Sequence, residues 1–377
     1  MPSGAESRKG EGFSMSDEKS LVAVTIDGID MQVSPKMTIL GAARKAGVRI
    51  PTLCFMKDVS DIGMCRVCSV EVEGRDELVA SCKTRVADGM VVHTDTQRVQ
   101  DYRRLMLQLV LAEHGLDSTN YCFSCPKNGA CELQAVCREL DVTESVFAPE
   151  KPSDRKPVLD SNPFLTYDPN LCISCQRCVG ACNSHAYNHT LQTGKAGMRT
   201  TIVAPFGPDW KTTACESCGN CAAACPTGAI TEKRRKLYRE WEVTKTRTTC
   251  PHCAVGCQID LVVKDGRIVN AEAAPGPSNR GMLCVKGRSG SFDFVHAPDR
   301  ITSPLVKNAE TGEFEAASWD DALNLVAERF TQIRDEEGGD ALAAFACSRS
   351  TNEDVYLLQK MARTVFKTNN VDNCARV

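Results

Sequence analysis

The chain has 377 residues, with 45 lysines and arginines against 48 aspartates and glutamates, a balance that makes no electrostatic case for nucleic acid or an anionic membrane surface. No uninterrupted apolar run approaches the roughly 20 residues a membrane helix needs, and the length allows about two or three average domains. The 22 cysteines, in a chain whose polar start has neither an apolar signal core nor a twin-arginine pair, point to a reducing compartment, by default the cytoplasm.

Residues 1–18 read as a disordered tail, with Met15 a possible start. Over residues 19–97 short runs alternate apolar and polar, and Asp27-Gly28 is a hairpin signal between two of them. A helix is expected over residues 38–45 with Thr38 as N-cap. Residues 97–114 repeat apolar side chains at helical spacing through Val99, Leu105, Met106, Leu109 and Val110. They open a module expected over 98–148. A proline-rich linker at 149–163 follows.

Residues 164–240 hold an imperfect repeat, LCISCQRCVGAC and ACESCGNCAAAC, 43 residues apart, which implies a pseudo-twofold module. Residues 243–300 read as short strands, turning at Lys264-Asp265-Gly266 between 259–263 and 267–270. From 301 to 377 the pattern is the opening of an α/β unit. Ser318-x-x-Asp321 is a capping box before a helix at 322–333, residues 341–346 read as a buried strand, and a helix follows over about 353–366.

The cysteines fall into five groups of four. Thiolates are soft anionic ligands suited to iron in sulfide clusters, and short spacings let one loop wrap several corners. Cys54, Cys65, Cys68 and Cys82 are separated by 10, 2 and 13 residues, with Gly63 allowing a tight backbone before the pair; the C-x2-C pair alone would also permit structural zinc. Cys122, Cys125, Cys131 and Cys137 form the second group, with His114 as a rival fourth ligand. Read otherwise, His114 ends a helix beside Gly115, and Cys137 is a small buried side chain. Cys172, Cys175, Cys178, Cys182 and Cys215, Cys218, Cys221, Cys225 both have the C-x2-C-x2-C-x3-C spacing, in which the fourth cysteine ligates the other cluster. One site is therefore expected on Cys172, Cys175, Cys178 and Cys225, the other on Cys215, Cys218, Cys221 and Cys182. Cys250, Cys253, Cys257 and Cys284, spaced by 2, 3 and 26 residues, end in RGMLCVKGR. Cys347 and Cys374 are left over, and Cys347 reads as packing at a strand end.

The first group resembles the [2Fe–2S] domain of the large iron–sulfur subunit of respiratory complex I. The second resembles the [4Fe–4S] site of that subunit and of iron-only hydrogenases, where a histidine separated from the first cysteine by three intervening residues is a ligand; here Ser118 stands there. The repeat is similar to bacterial two-cluster ferredoxins, with Pro226 after the second run and Asn183 where the first would have proline. The fifth group resembles the N-terminal [4Fe–4S] domain of molybdenum and tungsten enzymes that use two pyranopterin guanine dinucleotides. In that family a lysine two residues after the last cysteine lies between cluster and pterin, which maps onto Lys286; read otherwise, Lys286 is a solvated surface residue. The segment TNNVDNCARV, with Asn373, Cys374 and Arg376, resembles the run into the metal ligand of formate dehydrogenases.

Together these resemblances imply an α+β multidomain chain: a ubiquitin-like [2Fe–2S] half-barrel, a small helical [4Fe–4S] module, a two-[4Fe–4S] ferredoxin module, a β-rich [4Fe–4S] domain and an incomplete α/β domain. They imply one [2Fe–2S] and four [4Fe–4S] clusters, with a molybdenum or tungsten bis(pyranopterin guanine dinucleotide) in a longer protein. That protein would be a formate dehydrogenase alpha subunit interconverting formate and CO2 and wired to a flavin/NAD-binding iron–sulfur subunit or to ferredoxin. Electrons are expected to pass in chain order from the Cys250–Cys284 site through Cys172–Cys225 and the 122–137 site to the [2Fe–2S] centre. The metal ligand would follow Val377 directly, so an in-frame selenocysteine codon read as a stop is the expectation for this end. The alternatives are a complex I-like NADH dehydrogenase component and a stand-alone polyferredoxin-like carrier.

Overall fold

The computed structural model describes residues 21–114, 119–147, 157–195, 200–203, 212–289 and 292–375. The N-terminal tail, Ser118, residues 149–156 of the expected linker, Arg376 and Val377 lie outside them. The described chain is a mixed α/β multidomain protein divided into two compact units. One comprises residues 21–55, 61–110 and 136–146; the other comprises 56–60, 111–135 and 147 onward.

The first unit is built on a five-stranded sheet. Strands β1 (Val22–Ile26) and β2 (Ile29–Val33) pair antiparallel around Asp27-Gly28, both at positive φ, as a two-residue turn between right-twisted strands requires. Helix α1 (Ile39–Lys45) follows, and Thr38 caps it by accepting a hydrogen bond from the Gly41 amide at 3.2 Å. Strands β3 (Ser69–Val72), β4 (Val79–Ala80) and β5 (Met90–His93) complete the order β2-β1-β5-β3-β4, with β1 and β5 parallel. Alternate residues Val24, Ile26, Val70, Val72 and Val92 turn inward against Ile39, Leu40, Ala42 and Ala43 of α1. This is the period-2 face of a sheet meeting the apolar stripe of a helix.

The helix Gln97–His114 forms as its spacing predicts, but its buried stripe differs. Val99, Arg103, Leu107 and Val110 are inward, whereas Leu105 and Leu109 are each 42% exposed. Positions 99, 103, 107 and 110 share one helical face, and 105 and 109 lie away from it. Arg103 is tolerated inside because its Nε donates to the Ser69 carbonyl at 3.0 Å.

In the second unit the repeated cysteine runs are framed by the antiparallel strands Leu165–Tyr167 and Ile230–Glu232. Each run leads into a short helix, Arg177–Gly180 or Asn220–Ala224. Next comes a three-stranded antiparallel sheet, Thr244–Thr249, Gln258–Lys264 and Arg267–Ala273, turning at Asp265-Gly266 as expected. The last segment contains the helix Trp319–Glu337, capped by Ser318, whose hydroxyl accepts from the Asp321 amide. The strand expected at 341–346 is shorter: only Ala344–Ala346 pairs, in parallel, with Val371–Asn373. Residues 339–341 form a tight turn instead, and the Asn370 side chain occupies the carbonyls of Asp340 and Leu342. No helix among the described residues is long and apolar enough to cross a membrane.

Candidate metal centres

Cys54, Cys65, Cys68 and Cys82 all belong to the first unit, and Cys68 and Cys82 are part of its core. The thiols associate in two pairs. The Cys65 thiol is lowered to about 7 by a hydrogen bond from Cys54, and the Cys68 thiol to about 7 by one from Cys82, while Cys54 and Cys82 are pushed upward in turn. Amides of Met64 and Val67 reach the sulfurs of Cys54 and Cys65. Gly63 has φ +68°, and a Cβ there would lie 2.7 Å from Lys83 Cγ and 3.8 Å from Cys82 Sγ. Only glycine lets the loop close this tightly.

Cys122, Cys125 and Cys131 belong to the second unit, as does His114, which is buried. Cys137, on the helix Glu132–Glu139, belongs to the first. The loop Cys122–Cys131 packs on the C-terminal end of the second cysteine run. Cys131 Sγ lies 3.6 Å from the Pro226 carbonyl, the Glu132 amide donates to that carbonyl at 2.9 Å, and a Cβ on Gly228 would sit 2.4 Å from Cys125 Sγ. Burial pushes the Cys125 thiol up, and that of Cys131 to about 11. Arg239 fastens the loop by donating to the carbonyls of Cys125, at 2.7 Å, and Phe123, at 3.1 Å.

The repeat brings its cysteines into two neighbourhoods. Cys172, Cys175, Cys178 and Cys225 line one cavity, together with Tyr167, Ile173, Ile202 and Ile230. The Cys175 thiol is pushed above the usual range by burial and then by Cys225, ahead of Cys172. Cys215 and Cys221 are raised by burial, and both feel Cys218 and Cys182. The fourth cysteine of each run therefore stands by the other run. Amide N–H groups point at the sulfurs, with Ser174 N to Cys172 Sγ and Ser217 N to Cys215 Sγ both 3.4 Å. Ser174, Gln176, Ser217 and Gly219 adopt positive φ, which turns those amides inward.

Cys250, Cys253, Cys257 and Cys284 are mutual electrostatic neighbours. The Cys250 amide donates to the Cys257 carbonyl at 2.8 Å, closing the first loop. Lys286 is exposed on the short helix Val285–Ser289, two residues from Cys284.

Sequence reading missed the groups that join these loops. Arg288 is nearly fully buried: it pairs with Glu232 at 2.8 Å and donates to the Cys218 carbonyl at 3.0 Å and to Asn220 Oδ1 at 3.3 Å. A charged side chain inside a cysteine motif, as Arg288 is, was the available signal. Cys347 and Cys374 end adjacent parallel strands with their sulfurs 3.8 Å apart.

Among the described residues no three His, Cys, Asp or Glu side chains stand close enough to share one metal ion. The ligands of a polynuclear cluster stand around it instead, and the cavity lined by four thiols, the inward amides and the glycine clearances fit such a group.

Five family models match along the chain: a 2Fe–2S iron–sulfur cluster binding domain at 19–97, the NADH-ubiquinone oxidoreductase-G iron–sulfur binding region at 103–145, a 4Fe–4S dicluster domain at 171–229, the molybdopterin oxidoreductase Fe4S4 domain at 243–295 and molybdopterin oxidoreductase at 300–377. The chain is 37% identical to the NADPH-Fe(3+) oxidoreductase subunit alpha of Geobacter sulfurreducens over 95% of its own length and 40% of that protein. It is 36% identical to a subunit of an NADH-quinone oxidoreductase of Rhizobium meliloti, over 94% of its length and 40% of the relative. A Staphylococcus aureus protein provisionally named a formate dehydrogenase is 32% identical over 94% of this chain and 39% of that one. The chain thus spans about 40% of the length of these relatives. Among solved structures, a chain of an NAD+-reducing [NiFe]-hydrogenase in the H2-reduced state matches with TM-score 0.51 and 32% identity, covering 56% of this chain and 87% of that one. The N-terminal part of the chain thus carries iron–sulfur domains of the NADH-ubiquinone oxidoreductase-G kind, and residues 243–295 and 300–377 are molybdopterin oxidoreductase domains.

Proposed function

We propose that the chain is the electron-conducting part of a formate dehydrogenase alpha subunit, holding one [2Fe–2S] and four [4Fe–4S] clusters. The observation that carries the conductor reading is the crossed arrangement of the repeat, with Cys225 among Cys172, Cys175 and Cys178, and Cys182 among Cys215, Cys218 and Cys221. The remaining ligands are Cys54, Cys65, Cys68 and Cys82; Cys122, Cys125 and Cys131 with Cys137 or His114; and Cys250, Cys253, Cys257 and Cys284. His114 shares its unit with the three cysteines of its site.

When bound, the clusters supply one-electron carriers. The chain's own groups hold the thiolates, bury nine of the 20, and aim N–H donors at sulfur, which favours the reduced, more negative state. The contacts support a particular order. The Cys284 loop meets the Cys218 loop through Leu283 and Asn220, and the Cys125 loop meets Gly228 beside Cys225. Electrons would then move from the Cys250–Cys284 site to Cys182/215/218/221, on to Cys172/175/178/225 and to the Cys122–Cys131 site, with the [2Fe–2S] centre last in chain order. Lys286 would hold positive charge on the pterin side of the first cluster.

A molybdenum or tungsten bis-pterin in the longer protein, formate and CO2 as its substrates, and a flavin/NAD subunit or ferredoxin as acceptor rest on the resemblance of RGMLCVKGR and TNNVDNCARV. The relative named as part of an NADH-quinone oxidoreductase favours a second reading, a component of an NADH-oxidising complex. Iron and acid-labile sulfide analysis tests the conductor, which requires about 18 irons, from one two-iron and four four-iron clusters; a value near four, or bound zinc, would sink it. Formate-dependent against NADH-dependent dye reduction by the longer protein separates the two enzyme readings.

A further inference from the structure

Asn220 stands between two cysteine loops. It precedes Cys221 and is buried, with its side-chain amide meeting three groups: Nδ2 lies 3.5 Å from Cys218 Sγ, while Oδ1 accepts from the Leu283 amide at 3.1 Å and from Arg288 Nη2 at 3.3 Å. Two donors converge on one side of the amide, so that side must be the carbonyl, and the NH2 group is left facing the sulfur. Leu283 is bonded directly to Cys284. One side chain thus joins a thiolate of one proposed site to the backbone of a ligand of the next.

The surroundings hold this geometry. Gly219, at φ +75°, leaves room for Arg288, whose Cδ would lie 2.3 Å from a Cβ at that position. Arg288 in turn is anchored by Glu232 and the Cys218 carbonyl. With its carbonyl held by two donors, the buried amide presents its NH2 group to the sulfur.

We propose that Asn220 is the positioning residue that couples the Cys182/215/218/221 site to the Cys250/253/257/284 site. Its N–H sets the potential of the first, and its carbonyl fixes the second at hydrogen-bond range. An electron leaving one cluster enters the other, and Asn220 itself gains and loses nothing. The proposal rests on the reading of these two cysteine sets as cluster sites. It goes beyond that reading in giving one non-ligand residue both a tuning and a coupling role.

The test uses the full 377-residue chain, anaerobically reconstituted, with Asn220→Asp and Asn220→Leu. Asp keeps an oxygen for Leu283 and Arg288 but has no N–H for Cys218; Leu loses both. Three quantities are measured: iron content, electron paramagnetic resonance through a redox titration, and hydrogen exchange at the Leu283 amide. Asn220→Asp is expected to shift the reduced-to-oxidised ratio of one cluster about tenfold toward oxidised, about 59 mV for a one-electron couple, with Leu283 protection retained. Asn220→Leu is expected to lose at least about tenfold of that protection and to weaken the spin–spin interaction between the two reduced clusters. Full iron with potentials and spin coupling unchanged in both variants overturns the bridge alone. An unaltered chain lacking the iron of these two sites overturns the cluster reading, and the bridge with it.

Discussion

Arg177 and Asn220 occupy equivalent positions in the two cysteine runs, each directly before the third cysteine, and each reaches out of the repeat to a different neighbour. Arg177 pairs with Glu132, beside the Cys131 loop, at 2.7 Å; Asn220 accepts from Leu283, beside Cys284, at 3.1 Å. Both are buried, at 4% and 5% exposure, and both follow a residue in the left-handed region, Gln176 or Gly219. The pseudo-twofold repeat therefore offers one docking position twice. Divergence at that position, a long cation in one copy and a short amide in the other, sorts which cysteine loop docks where.

The Arg288–Glu232 pair is the most buried ion pair described, with side chains 2% and 12% exposed. Removing one partner from such a pair strands a charge away from water. Glu232→Ala should therefore cost about 3–5 kcal/mol, and Glu232→Gln, which keeps a hydrogen-bond acceptor for Arg288, should cost less. The urea midpoint for loss of cluster absorbance reads the difference. Equal midpoints for Ala, Gln and the unaltered chain would refute the assignment.

Gly228 makes a steric prediction. A methyl group at this position would stand 2.4 Å from Cys125 Sγ, with Leu171 Cδ1 at 3.3 Å behind it, so the Cys125 loop must move. Gly228→Ala should lower the iron content by about four atoms, one cubane cluster, while the [2Fe–2S] signal from the Cys54–Cys82 site persists. Unchanged iron would mean that Cys125 holds no cluster in this geometry.

Much of this arrangement was legible because it is local. The Thr38 and Ser318 caps and the turns at Asp27-Gly28 and Asp265-Gly266 depend on residues a few positions apart, and the structure has each of them. The contacts of Arg288 and Gly228 span tens of residues, and no spacing rule registers them. Arg103 was invisible for a related reason: a cation on an apolar stripe reads as surface until the Ser69 carbonyl is seen to receive it. Cys347 and Cys374 read as leftovers, because only the parallel pairing of Ala344–Ala346 with Val371–Asn373 brings their thiols together.

The metal-free chain should lose stability in alkali. Burial raises the Cys131 thiol from its ordinary 9.0 to about 11. A raised folded-state pKa gives stability that is complete below the unfolded value and is lost as pH climbs through the folded one. For Cys131 the window is therefore pH 9 to about 11, and its own share of the loss is roughly 3 kcal/mol at most. Thermal unfolding of metal-free protein across this range, compared with Cys131→Ala, checks it. The variant should show a smaller alkaline decline, and an identical decline would place its origin elsewhere.

Cys374 should be the most reactive thiol once the clusters are in place. Its thiol is held below the usual range first by the Ser348 amide, then by the Ser348 hydroxyl and the Cys347 thiol, and it is exposed while Cys347 is half-buried. Reactivity toward an alkylating agent follows the thiolate fraction and access, and both favour Cys374. Timed alkylation of the reconstituted chain near neutral pH, followed by peptide mapping, should mark Cys374 first and Cys347 slowly. Ser348→Ala keeps the dominant amide donor and should slow the reaction only modestly. Replacing Cys347 by Ala removes the weakest of the three donors and should slow it less. Equal labelling of the two cysteines, or a faster Cys347, would contradict the geometry at the ends of these strands.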